Sequence, residues 1–231
     1  MRSDEPLIVA IDGPVGVGKS TVARGLARIF SVPYLETGAM YRALGVEVLA
    51  QNLDPDNREA IEELARGLDL RLELADEAGI RVMMNGRPVG AELRRPEVAD
   101  ITSRISAYPG VRSRMVELQR QCAERTGGVV EGRDIGSRVF PNTRYKFFLD
   151  ADVHERARRR HEELLLSGHH ELTLEQVVSD IQQRDDRDSK RADSPLRSDE
   201  SYIPVETTRR SVDEVIEYIA AAVRRLAAEP A

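Results

Sequence analysis

Short apolar runs alternate along this chain with segments whose apolar residues recur at helical spacing. Residues 7–11 are continuously apolar, which is typical of a parallel strand covered on both faces. A helix is predicted over residues 19–30 and a short strand over residues 33–35. The alternation predicts an α/β fold built on a doubly wound parallel sheet.

The same pattern continues in the second half of the chain. Three further strands are predicted, at residues 128–131, 145–149 and 202–205. Three further helices are predicted, over residues 154–166, 173–184 and 211–226. Thr173 and Ser211 open capping boxes, and Thr37 is expected to cap a helix that ends near Gln51. Pro204 has no N–H to donate, so the last strand is expected at a sheet edge.

Residues 66–92 break the alternation of strand and helix. Apolar and polar residues alternate with period two over 68–74 and again over 80–83. Asn85 and Gly86 then form a dipeptide typical of a tight hairpin turn. We therefore predict a small antiparallel insertion within a single chain. The core is expected to comprise residues 1–65, 93–155 and 195–231.

A second polar segment lies at the end of the helix predicted over residues 173–184. Its run from Arg184 to Arg191 contains no apolar residue, and we predict a mobile loop there.

The composition of the chain limits the kinds of partner that the protein can bind. The 231 residues include 34 Lys+Arg and 40 Asp+Glu, for a net charge of −6. An acidic total argues against a nucleic-acid coat protein, because neutralising phosphates requires a basic surface. Cys122 is the only cysteine, so folding needs no disulfide, and no apolar run is long enough to span a membrane. We expect a cytoplasmic monomer that binds neither nucleic acid nor membrane.

Residues 13–20 match the phosphate-loop pattern G-x-x-x-x-G-K-[ST] between a predicted strand and a predicted helix. Glycines let successive N–H groups point at phosphate oxygens, and the helix N-terminus adds partial positive charge. Lys19 would reach the β- and γ-phosphates, and Ser20 would supply an oxygen to Mg²⁺. The predicted ATP-binding residues are Gly13, Pro14, Val15, Gly16, Val17, Gly18, Lys19, Ser20 and Thr21.

Two arginines come shortly after predicted strands, at positions where a second phosphate group would bind. Arg42 comes just after the second predicted strand and Arg133 just after the strand at 128–131. Ligands of open α/β sheets bind at the carboxyl ends of the strands, so both should lie near the phosphate loop. Arginine grips phosphate with a planar fork, and a phosphate acceptor needs such a second anion site. The Asn-Lys-x-Asp guanine-reading motif of GTPases does not occur in the sequence.

The sequence resembles the bacterial cytidylate kinases over nearly its whole length. Seven ordered motifs carry the resemblance, at residues 11–20, 37–42, 107–112, 131–136, 139–141, 148–150 and 184–188. The resemblance implies transfer of the γ-phosphoryl group of ATP to CMP, and to dCMP, with Mg²⁺. It also implies that the inserted strands belong to a substrate-binding subdomain and that residues 156–194 form a lid.

The resemblance further implies roles for individual residues. Those implied to bind the CMP substrate are Thr37, Tyr41, Arg42, Ser103, Arg112, Arg133, Asp134, Arg184, Asp188 and Arg191. Arg42, Arg133 and Arg191 would hold its phosphate, and Arg184 and Asp188 its ribose. Ser103, Arg112 and Asp134 would read the cytosine edge, with Thr37 beside them.

The catalytic cations implied by the same resemblance are Lys19, Arg133, Arg159 and Arg191, with Arg159 reaching the transferring phosphates from the lid. Arg156, Arg158 and Arg160 are expected only to solvate the Arg159 helix. Glu131 departs from the family pattern, which commonly has Asp at that strand end. The alternatives from sequence are a kinase for UMP, AMP or shikimate, and a phosphate-loop regulatory ATPase.

Overall fold

The computed structural model describes residues 6–75, 79–166, 168, 170–191 and 193–229. Its strands are β1 (Ile8–Asp12), β2 (Tyr34–Glu36), β3 (Leu70–Ala75), β4 (Gly79–Met84), β5 (Arg87–Pro88), β6 (Gly128–Gly132), β7 (Tyr145–Asp150) and β8 (Ile203–Glu206). Its α-helices are α1 (Lys19–Phe30), α2 (Thr37–Ala50), α3 (Arg58–Gly67), α4 (Pro96–Ile105), α5 (Pro109–Thr126), α6 (Val153–Leu166), α7 (Leu174–Ser189) and α8 (Val212–Ala228). A short 3₁₀ helix, Ala91–Arg94, and a π-helical turn, Ile135–Val139, complete them.

Five parallel strands form the central sheet in the order β2-β6-β1-β7-β8. Strand β1 lies in the middle, with Ile11 opposite Glu131 of β6 and Phe147 of β7. The predicted doubly wound parallel sheet is confirmed, and β8 is an edge strand as its proline requires. The carboxyl ends of β1 and β6 are adjacent, so the segments that follow them leave the sheet side by side.

Helices cover both faces of the sheet, which explains the continuous apolar run of β1. Val9 and Ile11 pack with apolar residues of α1 and α8 on one face. Ala10, between them in sequence, packs instead with residues of α5 and the π-helical turn. Successive side chains of a strand point to opposite faces, so all four positions from Val9 to Asp12 are buried.

The predicted insertion contains a three-stranded antiparallel sheet in the order β3-β4-β5. Its turn at Asn85 and Gly86 has positive φ at both residues, 51° and 74°, the geometry of a tight hairpin. Leu70 and Val82 join the apolar cluster formed by α2, α3 and α5, and so anchor the sheet to the core. The three strands fall within residues 66–92, and residues 76–78 lie outside the described part.

The predicted mobile loop at 184–191 is wrong for most of its length, because α7 continues to Ser189. Ion pairs, instead of apolar contacts, hold this end of α7 in place. Asp188 is buried and pairs with both Arg133 and Arg191, while Lys190 pairs with Asp186 at 2.6 Å. The predicted lid spans most of α6 and all of α7, and its residues 167, 169 and 192 are outside the described part.

Two of the three predicted helix caps are confirmed. Thr173 and Ser211 both form complete capping boxes, with Gln176 and Glu214 as the returning partners. The prediction that Thr37 caps α2 is wrong, because Thr37 is the first residue of the helix. Its hydroxyl donates instead to the backbone oxygen of Glu131 at 2.8 Å, and this bond fixes α2 against the end of β6.

Cys122 lies on α5 and is half-buried, and burial raises the pKa of its thiol. Within the described ranges, no helix is both long and apolar enough to cross a membrane.

Candidate active site

The phosphate loop lies between β1 and α1 and forms a tight turn of the backbone. Gly16 has φ of 81°, and a Cβ there would lie 2.8 Å from the backbone oxygen of Arg156. At Gly13 a Cβ would lie 2.1 Å from the backbone oxygen of Leu149. Both positions therefore require glycine, one for its backbone conformation as well as space, the other for the close approach of β7.

Lys19 opens α1 with its side chain turned back over this loop. Its Nζ donates to the backbone oxygen of Pro14 at 2.6 Å. Burial, together with the charge of Arg133, lowers the pKa of Lys19 to about 7, and the charge of Arg184 acts in the same direction. Arg133 thus lies within electrostatic reach of the loop, as its predicted position at a strand end requires, and Arg184 reaches the loop from α7.

Arg133 is held in place by the carboxylate of Asp188. Its Nε donates to Asp188 at 3.0 Å, and its Nη1 donates to the backbone oxygen of Gly132 at 3.1 Å. The other oxygen of Asp188 pairs with Arg191, whose Nη2 also donates to Ser106 at 3.3 Å. One buried carboxylate therefore joins two arginines that the sequence separates widely. These two cations and the phosphate loop meet at the same edge of the sheet.

Arg184 lies among these cations without a carboxylate of its own. Burial, together with the positive charges of Arg133, Arg42 and Arg191, lowers its pKa to about 10, although the charge of Asp188 acts in the opposite direction. Among the described residues, no carboxylate oxygen comes within ion-pair distance of its guanidinium. An anion entering here would relieve the repulsion between these positive charges.

Arg42 reaches the same region from α2 and forms an ion pair with Glu36, at the end of β2. Its Nε is buried without a hydrogen-bond partner among the described residues. Arg42 acts electrostatically on Arg184, so the predicted phosphate arginines from three separate segments converge.

Beside this cluster, Arg112 and Asp134 form a buried ion pair. Arg112 also donates from Nη1 to the backbone oxygen of Ser106 at 3.2 Å. Ser103 Oγ and Arg112 Nε are buried and have no hydrogen-bond partner within the described residues. Tyr41 lies close to the pair, and burial raises its pKa to about 12. Buried polar atoms without partners suit a site that hydrogen-bonds a polar ligand.

Glu131 is a site residue whose role sequence reasoning missed. Its carboxylate accepts from Ser20 at 2.8 Å and from the Tyr34 hydroxyl at 3.3 Å. A hydroxyl and a carboxylate meeting beside the phosphate loop form a pair of hard oxygen donors, which is the chemistry that Mg²⁺ requires. The sequence signal was the acidic residue at the end of the strand next to β1, which we noted only as a departure from the family pattern.

Asp12, also missed, links the phosphate loop to the segment that carries Arg133 and Asp134. Its carboxylate accepts from the backbone N–H groups of Ile135 and Gly136 and from the hydroxyl of Tyr202, each at 2.8 Å. Burial raises the pKa of Asp12 to about 6, against the lowering effect of these hydrogen bonds. Asp12 therefore orients the start of the π-helical turn, directly after Asp134.

The arginines of α6 do not all have the surroundings that their predicted roles require. Arg159 lies against the end of β8, donating to Glu155 at 2.8 Å and to the backbone oxygen of Thr207 at 2.8 Å. Arg158 and Arg160 pair with glutamates on the exposed side of the helix, as expected. The expectation that Arg156 only solvates the helix is wrong, because Arg156 is buried and bonds to the phosphate loop.

No group of three or more His, Cys, Asp or Glu residues suited to hold a metal ion occurs in the part of the chain that the structure describes. His161 approaches the backbone oxygen of Leu172 at 2.9 Å, and His169 lies outside the described residues.

A parallel sheet that carries a phosphate loop after its central strand, with an arginine cluster at the same carboxyl ends of the strands, defines a phosphate-loop kinase. Comparison with known proteins agrees with this class and narrows it. The sequence profile described as cytidylate kinase matches residues 9–225. The chain belongs to the cytidylate kinase family.

Relatives of this family match the chain over nearly its whole length. A cytidylate kinase of Caldanaerobacter subterraneus subsp. tengcongensis is 43% identical over 217 residues, which cover 94% of each chain. One of Carboxydothermus hydrogenoformans is 44% identical over 208 residues, 90% of this chain and 93% of the relative. A crystal structure of an uncharacterized protein from Eubacterium ventriosum shares the fold at a TM-score of 0.52 and 14% identity, covering 96% of this chain and 99% of that one.

Proposed function

We propose that this chain is a cytidylate kinase that transfers the γ-phosphoryl group of ATP to CMP, and to dCMP. The observation that carries the proposal is an arginine cluster beside the phosphate loop. Asp188 pairs with both Arg133 and Arg191, and the charges of Arg133 and Arg184 act on Lys19 of the loop. Two phosphate groups must meet for the transfer, and this edge of the sheet supplies cations for both. The family membership of the chain supports the same reaction.

The donor, ATP, would lie on residues 13–21, with Lys19 at its β- and γ-phosphates. Mg²⁺ would be held on the side of Ser20 and Glu131, whose side-chain oxygens already lie 2.8 Å apart. When bound, the metal ion would neutralise charge on the transferring group. The residues of this chain add electrostatic stabilisation and position, because the phosphate acceptor is largely ionised at neutral pH and needs no general base.

The acceptor phosphate would be gripped by Arg42, Arg133 and Arg191, and Arg184 would lie next to it. Asp188 then has a role that differs from the ribose contact implied by resemblance. It is buried between Arg133 and Arg191 and fixes the directions of both guanidinium groups. Removing it would leave two cations without their shared counterion.

The base would be read by Asp134, Arg112 and Ser103. A carboxylate accepts from the exocyclic amino group of cytosine and repels the carbonyl oxygen that uracil carries at the same position. The unpartnered Ser103 Oγ and Arg112 Nε are further groups that can bond to the base. Thr37 lies next to this region, although its hydroxyl is engaged by the backbone of β6.

A coupled assay with ATP and Mg²⁺ across CMP, dCMP, UMP, AMP and shikimate tests the proposal. We expect CMP and dCMP to be phosphorylated and the other acceptors to be much poorer. Higher activity with AMP, UMP or shikimate would reassign the acceptor. Hydrolysis of ATP at the same rate without any acceptor would indicate an ATPase instead.

A further inference from the structure

The side chain of Arg156 connects three separate parts of the donor site. Its Nε donates to the backbone oxygen of Ala151, just after β7, at 3.0 Å. Its Nη1 donates to the backbone oxygen of Val15, in the phosphate loop, at 3.2 Å, and to Asp185 of α7 at 2.6 Å. Arg156 is only 6% exposed, so these bonds form away from competing water.

The bond to Val15 has a direct consequence for the orientation of the phosphate loop. In a trans peptide the C=O and the following N–H point in opposite directions. Because Arg156 holds the oxygen of Val15 toward α6, the N–H of Gly16 must point away from α6. A phosphate loop binds its ligand through such N–H groups, so the direction of this peptide matters for phosphate binding.

Steric contact reinforces this hydrogen bond. The backbone of α6 lies directly against Gly16, where an added Cβ would meet Arg156 Cβ at 3.0 Å as well as its backbone oxygen at 2.8 Å. The loop backbone at Gly16 therefore lies so close to α6 that any side chain at this position would displace the helix. Asp185 completes the arrangement, since its carboxylate keeps the Arg156 guanidinium aimed at the loop.

We propose that Arg156, paired with Asp185, is a positioning residue for ATP: it orients the Val15–Gly16 peptide of the phosphate loop and connects that loop to α7. The proposal builds on the proposed function for the identity of the donor. It assigns the pair an effect on ATP binding that is separate from the binding of CMP. Asp185 neighbours Arg184 in sequence, so the same helix carries a loop contact and a member of the arginine cluster.

Isothermal titration calorimetry with ATP·Mg²⁺ alone tests the proposal without requiring any phosphoryl transfer. We expect Arg156→Met to raise the Kd for ATP about tenfold, and Asp185→Asn to raise it by a smaller factor. The double variant should bind ATP about as well as Arg156→Met alone, because both changes remove one linked set of contacts. Arg160→Met is the matched control on the same helix, since Arg160 pairs with the exposed Glu163, and the Kd of this variant should stay near that of the unchanged protein.

Steady-state kinetics separates positioning from a general loss of structure. We expect the KM for ATP to rise in Arg156→Met and the KM for CMP to stay within about twofold, with partial rescue in Arg156→Lys. An unchanged Kd for ATP accompanied only by a lower melting temperature would overturn the proposal. Equal increases in KM for both substrates would also overturn it. If Arg156→Met does not fold, Arg156→Lys and Asp185→Asn provide the same test. Tight ATP binding by the unchanged protein without any CMP kinase activity would contradict the proposed function and leave the role of Arg156 standing.

Discussion

Arg133 and Asp188 lie 55 residues apart in sequence, and Arg133 Nε donates to the Asp188 carboxylate at 3.0 Å. This pair joins the end of β6 to the last turn of α7. The same carboxylate pairs with Arg191, so the two cations that we propose to bind the acceptor phosphate are fixed relative to one another by one acid. The lid helix and the sheet edge are thereby connected through charge.

Replacing Arg133 should therefore strongly reduce turnover. We expect Arg133→Ala to lower kcat for CMP phosphorylation by about 10²-fold or more, on the scale of other removed charge stabilisers. A coupled assay at saturating ATP and CMP measures the effect. Arg144→Ala is a suitable control, because within the described residues the side chain of Arg144 bonds only to the backbone oxygen of Glu229. Unchanged turnover in Arg133→Ala would exclude a catalytic role for Arg133.

Replacing Asp134 should weaken discrimination between cytosine and uracil. In Asp134→Ala the carboxylate that repels the uracil carbonyl is lost, and the unpaired Arg112 can donate to that oxygen instead. We expect the ratio of kcat/KM for CMP over UMP to fall by at least tenfold. The ratio is measured with both substrates on the same protein preparation, so a loss of folded protein cancels. Full retention of selectivity would show that other residues read the base.

Lys19 should take up a proton when ATP binds at pH 8. Its pKa is lowered to about 7 in the free protein, so at pH 8 it is largely neutral. The negative charge of bound phosphates favours the ammonium form and raises this pKa. Calorimetric titrations in buffers of different ionisation enthalpy should show an uptake approaching one proton per ATP. Lys19→Arg stays charged at this pH and should lose the uptake, whereas an unchanged uptake in that variant would assign the proton to another group.

Asp12 should make the free energy of unfolding depend on pH. Its folded pKa of about 6 lies above the ordinary 3.8, so between these values the native state retains a proton that the unfolded state releases. This contribution therefore decreases as pH rises from about 4 to 6, by roughly 3 kcal/mol in total. Denaturant unfolding at pH 4.5 and 7.5 measures most of this change, roughly 2 kcal/mol.

Asp12→Asn removes this titration, so the stability of the unchanged protein relative to Asp12→Asn should fall as pH rises. Tyr202→Phe is the matched control, since it removes one hydrogen bond to Asp12 and keeps the titrating carboxylate. Identical pH dependence in the unchanged protein and in Asp12→Asn would contradict the assignment of this pH dependence to Asp12.

Sequence reasoning was most successful where the determining residues are neighbours in the chain. The phosphate loop occupies eight consecutive residues, and the boundaries of α1 were predicted to the residue. The capping boxes at Thr173 and Ser211 and the turn at Asn85 and Gly86 depend on bonds or dihedral angles within four residues, so local chemistry determines them. The polar run at the end of α7 was misassigned because its ion-pair partner, Arg133, is distant in sequence.

By itself, the sequence determined the parallel α/β class, the phosphate loop and the arginines that follow the strands, since each depends on local pattern or on the direction in which strands end. Only the tertiary structure decided that Glu131 meets Ser20, 111 residues away, that Asp12 orients the segment after Asp134, and that Arg156 is buried against the phosphate loop. The physical reason is that burial and charge pairing depend on distances in space. The polar run of arginines on α6 suggests an exposed surface, yet it contains Arg156, whose partners come from three other segments of the fold.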